Sequence, residues 1–319
     1  MTTPKLYDQR LIAAVHAIAS GNIKLLSLDV FDTLLIRRVP RPPDAFLQLG
    51  RKLREKNLLE PTQTPDSFAA VRYQTEYVAR DIQQRAHGNR EVTLGEIYDI
   101  FPKHIVRMSP GELIAAEITT EIKLCFSNPD IIQIAHFAKQ HHIRLALISN
   151  SYFSEKTLRK FIKTKAPDFP VFDNFFVSSE YRRGKRDGLM QLMLNKLSIK
   201  PSECLHIGDD PISDRDTAKK LGIPCIYIGH NEEDFSLRLT EEHPIQWHER
   251  TSHFGDDNGD YGLTWLRRQA GFWPTHSFNA QDEAFYRYGS CMLGPLLIGF
   301  AGWVHTRITA EKAKILYGV

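Results

Sequence analysis

Little cysteine, no excess of either charge, no internal repeat and no apolar run long enough to cross a membrane: these absences narrow the reading of this 319-residue chain. Its 4 cysteines, Cys125, Cys204, Cys225 and Cys291, are scattered without the spacing of a metal site. They read as free packing thiols of a reducing compartment, and a cytoplasmic location is expected. Lys and Arg total 41 against 38 for Asp and Glu, so the balance gives no support for nucleic acid or an anionic membrane surface as partner. The longest late apolar run, residues 291–304, is too short to span a bilayer comfortably and reads as a buried helix. The apolar stretch Leu11–Ser20 is likewise short and holds His16, so it reads as a packed amphipathic helix rather than a signal sequence.

What remains is enough chain for one large α/β core plus an insertion. Apolar strands are expected near Lys24–Phe31, Ile143–Ile148, Phe175–Ser178, Cys204–Ile207 and Pro224–Ile228, with helices alternating between them after residue 129. That alternation predicts a parallel sheet with right-handed crossovers. The block 44–128 has helical spacing, shows no good strand and is too long for a simple crossover, so it is expected to be a separate cap over the carboxyl ends of the strands. The expected fold class is therefore α/β: a Rossmann-like parallel five-stranded sheet core (1–43 and 129–230), an inserted helical cap (44–128) and a C-terminal, mostly helical extension (231–319).

The run Leu25 to Leu35 is the most informative stretch. An apolar strand ends in Asp29, and Asp29-Val30-Phe31-Asp32-Thr33 places a Thr four residues on. A carboxylate at the tip of a strand in an open α/β sheet is where a nucleophile or a metal ligand stands. Three further pieces follow in order: Ser149-Asn150 after the second strand, Lys185, and Gly208-Asp209-Asp210-Pro211-Ile212-Ser213-Asp214 after the fourth. Each piece alone has an ordinary structural explanation, such as a helix cap or a solvated charge. Their order and their places at strand ends make the set informative.

With these motifs the chain resembles the haloacid dehalogenase superfamily of hydrolases, over roughly residues 24–229. The resemblance implies that Asp29 is the nucleophile of an aspartyl-phosphate and that Thr33, Ser149 and Asn150 handle the phosphoryl group. It also implies that Lys185 neutralises charge, and that Asp29, the backbone carbonyl of Phe31, Asp209 and Asp214 hold Mg²⁺. The expected substrate is a small phosphorylated metabolite. The residue two after the nucleophile departs from the pattern: phosphatases of the superfamily carry an Asp there, which protonates the leaving group, and this chain carries Phe31. Two other readings follow, a phosphate-binding or partner-binding module without turnover and, less favoured, a metal-free dehalogenase.

Arg37 and Arg38, just past the nucleophile strand, are candidate substrate contacts. Arg72, Glu76 and Arg80 share one helical face and read as a surface salt-bridge ladder. Glu117 and Glu121 form another same-face pair, expected to be solvated. Residues 256–262 resemble a calcium loop only superficially and read as a turn-rich loop. Gly294-Pro295-Leu296 and Gly299-Phe300 through Trp303 are similar to a subgroup of these hydrolase-like proteins associated with bacterial surface-polysaccharide gene clusters. The likeness implies a sugar phosphate or nucleotide-sugar substrate, and a C-terminal helix that contacts a second copy or a further domain. The chain stops soon after this helix, as a short or truncated member of that subgroup would.

Overall fold

Five short apolar runs pair as one all-parallel sheet in this computed structural model, which describes residues 4–6, 8–39, 42–229, 279–289 and 293–311. The strands are β1 (Leu25–Leu28), β4 (Arg144–Ser149), β5 (Asn174–Val177), β6 (Cys204–Gly208) and β7 (Cys225–Tyr227), and they lie in the order β5-β4-β1-β6-β7. β1 is fully buried, as the central strand of a sheet covered on both faces must be. Leu26 and Leu28 pack on one face with α1 (Ile12–Ala19), α6 (Pro129–Gln140) and α7 (Glu155–Lys165). Leu25 packs on the other with α9 (Leu189–Leu197) and α10 (Thr217–Leu221). Each such leucine contributes about 1.5–3 kcal/mol through burial. The five-stranded Rossmann-like sheet is as expected.

The strand order places the chemistry. From β1 the chain passes to β4 and β5 on one side, then returns to β6 and β7 on the other. The sheet therefore switches direction beside β1, and the crevice at such a switch point is where open α/β sheets bind ligands. Leu28 pairs with Leu147 on β4 and Ile207 on β6, so the next residue, Asp29, emerges between the tips of both neighbours.

Between β1 and β4 lies the helical insertion: α2 (Asp44–Glu55), α3 (Pro65–His87), α4 (Leu94–Asp99) and α5 (Pro110–Leu124). Thr64, Thr93 and Ser109 each open a helix with a reciprocal capping box, which fixes where α3, α4 and α5 begin. The insertion is entered and left through an antiparallel ribbon, β2 (Leu35–Arg37) with β3 (Cys125–Ser127). The sequence expectation of no strand between 44 and 128 thus misses β3. A three-residue strand leaves too short an alternation to read and exists only because its partner lies beside it.

Two further expectations are corrected within the insertion. Arg72 does not belong to a surface ladder: it is completely buried. Glu117 and Glu121 are buried as well, not solvated. Helical spacing identifies residues that share a face. It does not say which face turns inward, and α2 packs against both α3 and α5.

The chain divides into two units, Met1–Asp257 and Asn258–Val319. The described part of the second holds α11 (Ala280–Tyr288) and α12 (Gly294–Glu311). The apolar run expected to be a buried helix is helical in its described part, but Leu296, Leu297, Ile298, Phe300 and Trp303 are exposed. Among the described residues no helix is long and apolar enough to cross a membrane. The loop expected at 256–262 lies outside the described residues.

Candidate active site at the tips of β1, β4 and β6

Asp29 leaves β1 with its backbone N–H donating to the Ile207 carbonyl at 3.0 Å, so its side chain is held level with the end of β6. Asp209 follows β6 directly. Asp214 is returned to the same point by a π-helical turn, residues Pro211–Asp216, whose N-terminus is capped by Asp210. The Asp210 carboxylate accepts from the N–H groups of Ile212 and Ser213 and is thereby committed to the turn. A Cβ on Gly208 would collide with the Asp214 carboxyl group, so only glycine lets this turn close over the strand. As a result Asp29, Asp209 and Asp214 each offer an oxygen within 4.8 Å of the others.

Lys185 completes the cluster. Its Nζ lies 2.6 Å from Asp29 Oδ1 and 2.5 Å from Asp214 Oδ1, and the side chain is buried. Asn150 holds it from behind, its Oδ1 accepting the Lys185 backbone N–H at 2.9 Å. Thr33 Oγ1 donates to Asp209 Oδ1 at 3.1 Å. Ser149 is buried at the end of β4. The structure therefore brings Asp29, Thr33, Ser149, Asn150, Lys185, Asp209 and Asp214 to one end of the sheet.

The electrostatics are unequal across the three carboxyls. Burial, with Asp29, Asp32 and Asp214 close by, pushes the Asp209 carboxyl up to about 9. Burial also raises Asp29, partly offset by Lys185. At Asp214 burial acts the same way, but Lys185 and His206 outweigh it and hold the carboxyl low. Lys185 is held above its usual value because Asp214 and Asp29 outweigh its own burial. Only with all three carboxyls ionised does the cluster exceed the single Lys185 ammonium by two negative charges, which is the state that binding a cation would favour. A divalent cation would offset that excess, and a donor set of oxygens alone suits Mg²⁺. The residues present thus fit the metal that the sequence suggests.

Phe31, Arg37 and Asp32 form the wall beside Asp29. The Phe31 ring packs on Phe153 and edge-on against Phe161, and the Arg37 guanidinium lies 3.9 Å from its centroid. Arg37 is buried, 3.0 Å from Asp32 and 3.4 Å from Glu121 of α5. The predicted substrate contact Arg37 is thus held between two carboxylates and an aromatic face. Arg38 is exposed on the ribbon, its N–H donating to the Leu124 carbonyl. Asp32 has a positive φ of 55°, which tightens the turn that aims Thr33 at Asp209.

The insertion grips the loops that carry the site. The Leu94 N–H donates to the Tyr152 carbonyl, three residues after Ser149. Arg182, three residues before Lys185, makes a two-pronged pair with Glu96 of α4, both contacts at 2.8 Å. That pair, chiefly the hydrogen bonds from Arg182, holds Glu96 down at about 2. A carboxyl lowered on folding adds stability above its unfolded value, and that contribution disappears as pH falls from 4.5 through about 2. Gln keeps the helix cap but loses the ion pair. Glu96→Gln should therefore cost less than about 1 kcal/mol at pH 7, because both side chains are well exposed. Urea titrations across pH check this: the gap should close below about pH 2.

Sequence reasoning missed His206 and Ser27. Both are completely buried, paired in register on β6 and β1, and His206 Nε2 is 2.9 Å from Asp214 Oδ1. The available signal was one polar residue inside each of two apolar strands.

A parallel sheet switching at β1, with the motif carboxylates and Lys185 meeting at its tip and helices inserted after the first motif, decides the fold. The core is a Rossmann-like parallel sheet that carries the motif residues of the sequence resemblance at its switch point. No protein-family model and no curated protein matches the chain. Among solved structures it is similar to L-2-haloacid dehalogenase from Xanthobacter autotrophicus, with 13% identity over 69% of this chain and 83% of that one, at a TM-score of 0.47. It is also similar to 2-haloacid dehalogenase from Pseudomonas syringae pv. Tomato DC3000, with 17% identity over 64% and 86% and a TM-score of 0.44. A predicted phosphoglycolate phosphatase from Haemophilus somnus 129PT is 17% identical over 64% and 84%, with a TM-score of 0.40.

Proposed function

We propose that this haloacid dehalogenase-type chain is a Mg²⁺-dependent phosphohydrolase of a small phosphorylated metabolite, acting through an aspartyl-phosphate on Asp29. The observation that carries the reading is the acidic cluster Asp29, Asp209 and Asp214, with Lys185 bridging Asp29 and Asp214. Asp29, Asp209 and Asp214, with the Phe31 carbonyl, would hold the metal. The chemistry that Mg²⁺ supplies when bound is relief of the repulsion between a carboxylate and a phosphate dianion. An Asp29 oxygen attacks phosphorus, the bond to the leaving oxygen breaks and its electron pair leaves with that oxygen. Lys185 keeps the attacking carboxylate oriented, and Ser149 and Asn150 would bind the phosphoryl oxygens. Water then attacks phosphorus, the bond to the Asp29 oxygen breaks, and Asp29 is freed as the carboxylate while the water's protons remain on the released phosphate. A sugar phosphate or nucleotide sugar is the favoured substrate class. The acidic cluster weighs against metal-free dehalogenation. Chloride release from 2-chloropropionate that survives chelation would reverse that order.

Phe31 supports a second reading, a phosphate-binding or partner-binding module without turnover, because its ring can neither give nor take a proton. General acid–base help is worth roughly 10²–10⁴-fold in rate. Phe31→Asp should raise turnover of alkyl phosphates by about tenfold, below that range because Arg37 stands ready to pair with the new carboxylate. Initial rates with glycerol phosphate against p-nitrophenyl phosphate, with and without Mg²⁺, test both readings. Turnover of neither substrate, together with thermal stabilisation by phosphate, would favour the binding module.

A further inference from the structure

Beneath the acidic cluster a second set of buried contacts runs back into the sheet. His206 touches Asp214 Oδ1 through Nε2 and lies 3.0 Å from Ser27 Oγ through Nδ1. Ser27 Oγ in turn lies 3.5 Å from Met193 Sδ on α9. The same Asp214 oxygen takes Lys185 Nζ, and the other, Oδ2, accepts the Asp210 N–H at 3.0 Å. Asp214 is therefore fixed on both oxygens, and the chain Ser27, His206, Asp214, Lys185, Asp29 is continuous. Neither Ser27 nor His206 reaches solvent. Any influence they have on the nucleophile passes through Asp214.

We infer that His206 is a positioning residue for the reaction. By holding Asp214 Oδ1 it sets where Lys185 Nζ stands against Asp29. Ser27 fixes the imidazole by bonding its other nitrogen, the arrangement by which an outer partner orients an inner one. Asp214 then works first as the anchor of Lys185. This inference rests on the reading of Asp29 as nucleophile.

The test uses the whole chain. In His206→Gln the amide N–H can still reach Asp214. In His206→Leu nothing can. His206→Leu should lower kcat for p-nitrophenyl phosphate by about 10–100-fold with KM nearly unchanged, and weaken Mg²⁺ binding in isothermal titration, as loss of an outer partner does. His206→Gln should recover most of both. Ser27→Ala should lower kcat in the wild-type background and have no further effect in His206→Leu, because its influence runs through the ring. Circular dichroism and thermal melts report the folded fraction in each variant. If folded His206→Leu keeps wild-type kcat and Mg²⁺ affinity, His206 is a packing residue and the inference is overturned. Asp29→Asn run alongside separates the two claims. If it retains full activity, the nucleophile reading fails, and His206 is judged on Mg²⁺ titration alone. If it is inactive while His206→Leu is unaffected, only the positioning role fails.

Discussion

Asp29→Asn should remove phosphate turnover by on the order of 10⁴–10⁶-fold, the scale on which loss of a covalent nucleophile is felt. The change replaces one oxygen with nitrogen and leaves the shape at the tip of β1 intact. Lys185 keeps Asp214, so the loop that carries it stays anchored. What disappears is the attacking carboxylate. The same substitution should not weaken the fold. Burial raises the Asp29 carboxyl on folding. An acid raised in this way takes stability away as pH climbs from 3.8 through its folded value, so at neutral pH its charge opposes folding. In the presence of a chelator, Asp29→Asn should melt at or above the wild-type temperature. A large loss of activity without loss of stability marks a group kept for chemistry. A melting temperature several degrees lower would show Asp29 to be part of the scaffold. Turnover at the wild-type rate would remove it from the mechanism.

Arg72→Ala should act in the opposite sense, on stability. Arg72 makes a two-pronged pair with Glu117, Nε to Oε2 at 2.8 Å and Nη2 to Oε1 at 2.7 Å, and a third contact with Glu76 at 3.3 Å. Phe46, Tyr98 and Tyr152 surround the guanidinium, which lies 4.3, 5.3 and 5.2 Å from their ring centroids. Burial works against its charge, but Glu117 outweighs that, and Arg72 titrates well above its usual value. Removing the side chain leaves Glu117 buried with, among the described residues, only the Tyr98 hydroxyl as a close partner. Breaking a buried pair from one side costs about 3–5 kcal/mol, since an uncompensated charge stays behind. Urea unfolding should show a loss of that size. Arg72→Met combined with Glu117→Leu should recover most of it, because replacing both partners removes the stranded charge. Tyr152 follows the Ser149-Asn150 loop, so the single variant should also loosen the insertion's grip on that loop and raise KM.

The sequence-level reading and the structure agree where a short local pattern is enough. An apolar run ending in Asp29 and a Gly-Asp-Asp turn after another such run are both local. The five strands and the residues that meet at their tips were legible for that reason. The insertion is different. Arg72, Glu117, Glu121 and Arg37 looked like surface or substrate-facing charges. Each is buried against a partner between 45 and 84 residues away. Nothing in helical spacing tells a charged face that meets water from one that meets an opposite charge.

By itself, then, the sequence determined the sheet, its chemistry-bearing tips and the presence of Phe31 where a proton donor would help. Those depend on strand pattern and on the identity of single residues. Only the tertiary structure decided that Phe31 is pinned between aromatic rings and Arg37, and that the inserted helices hold both site loops. It also decided that His206 and Ser27 stand behind Asp214. The physical reason is pairing across distance: a buried charge or a buried imidazole is stable only beside its partner. The partner's position is a property of the fold, not of its neighbours in the chain.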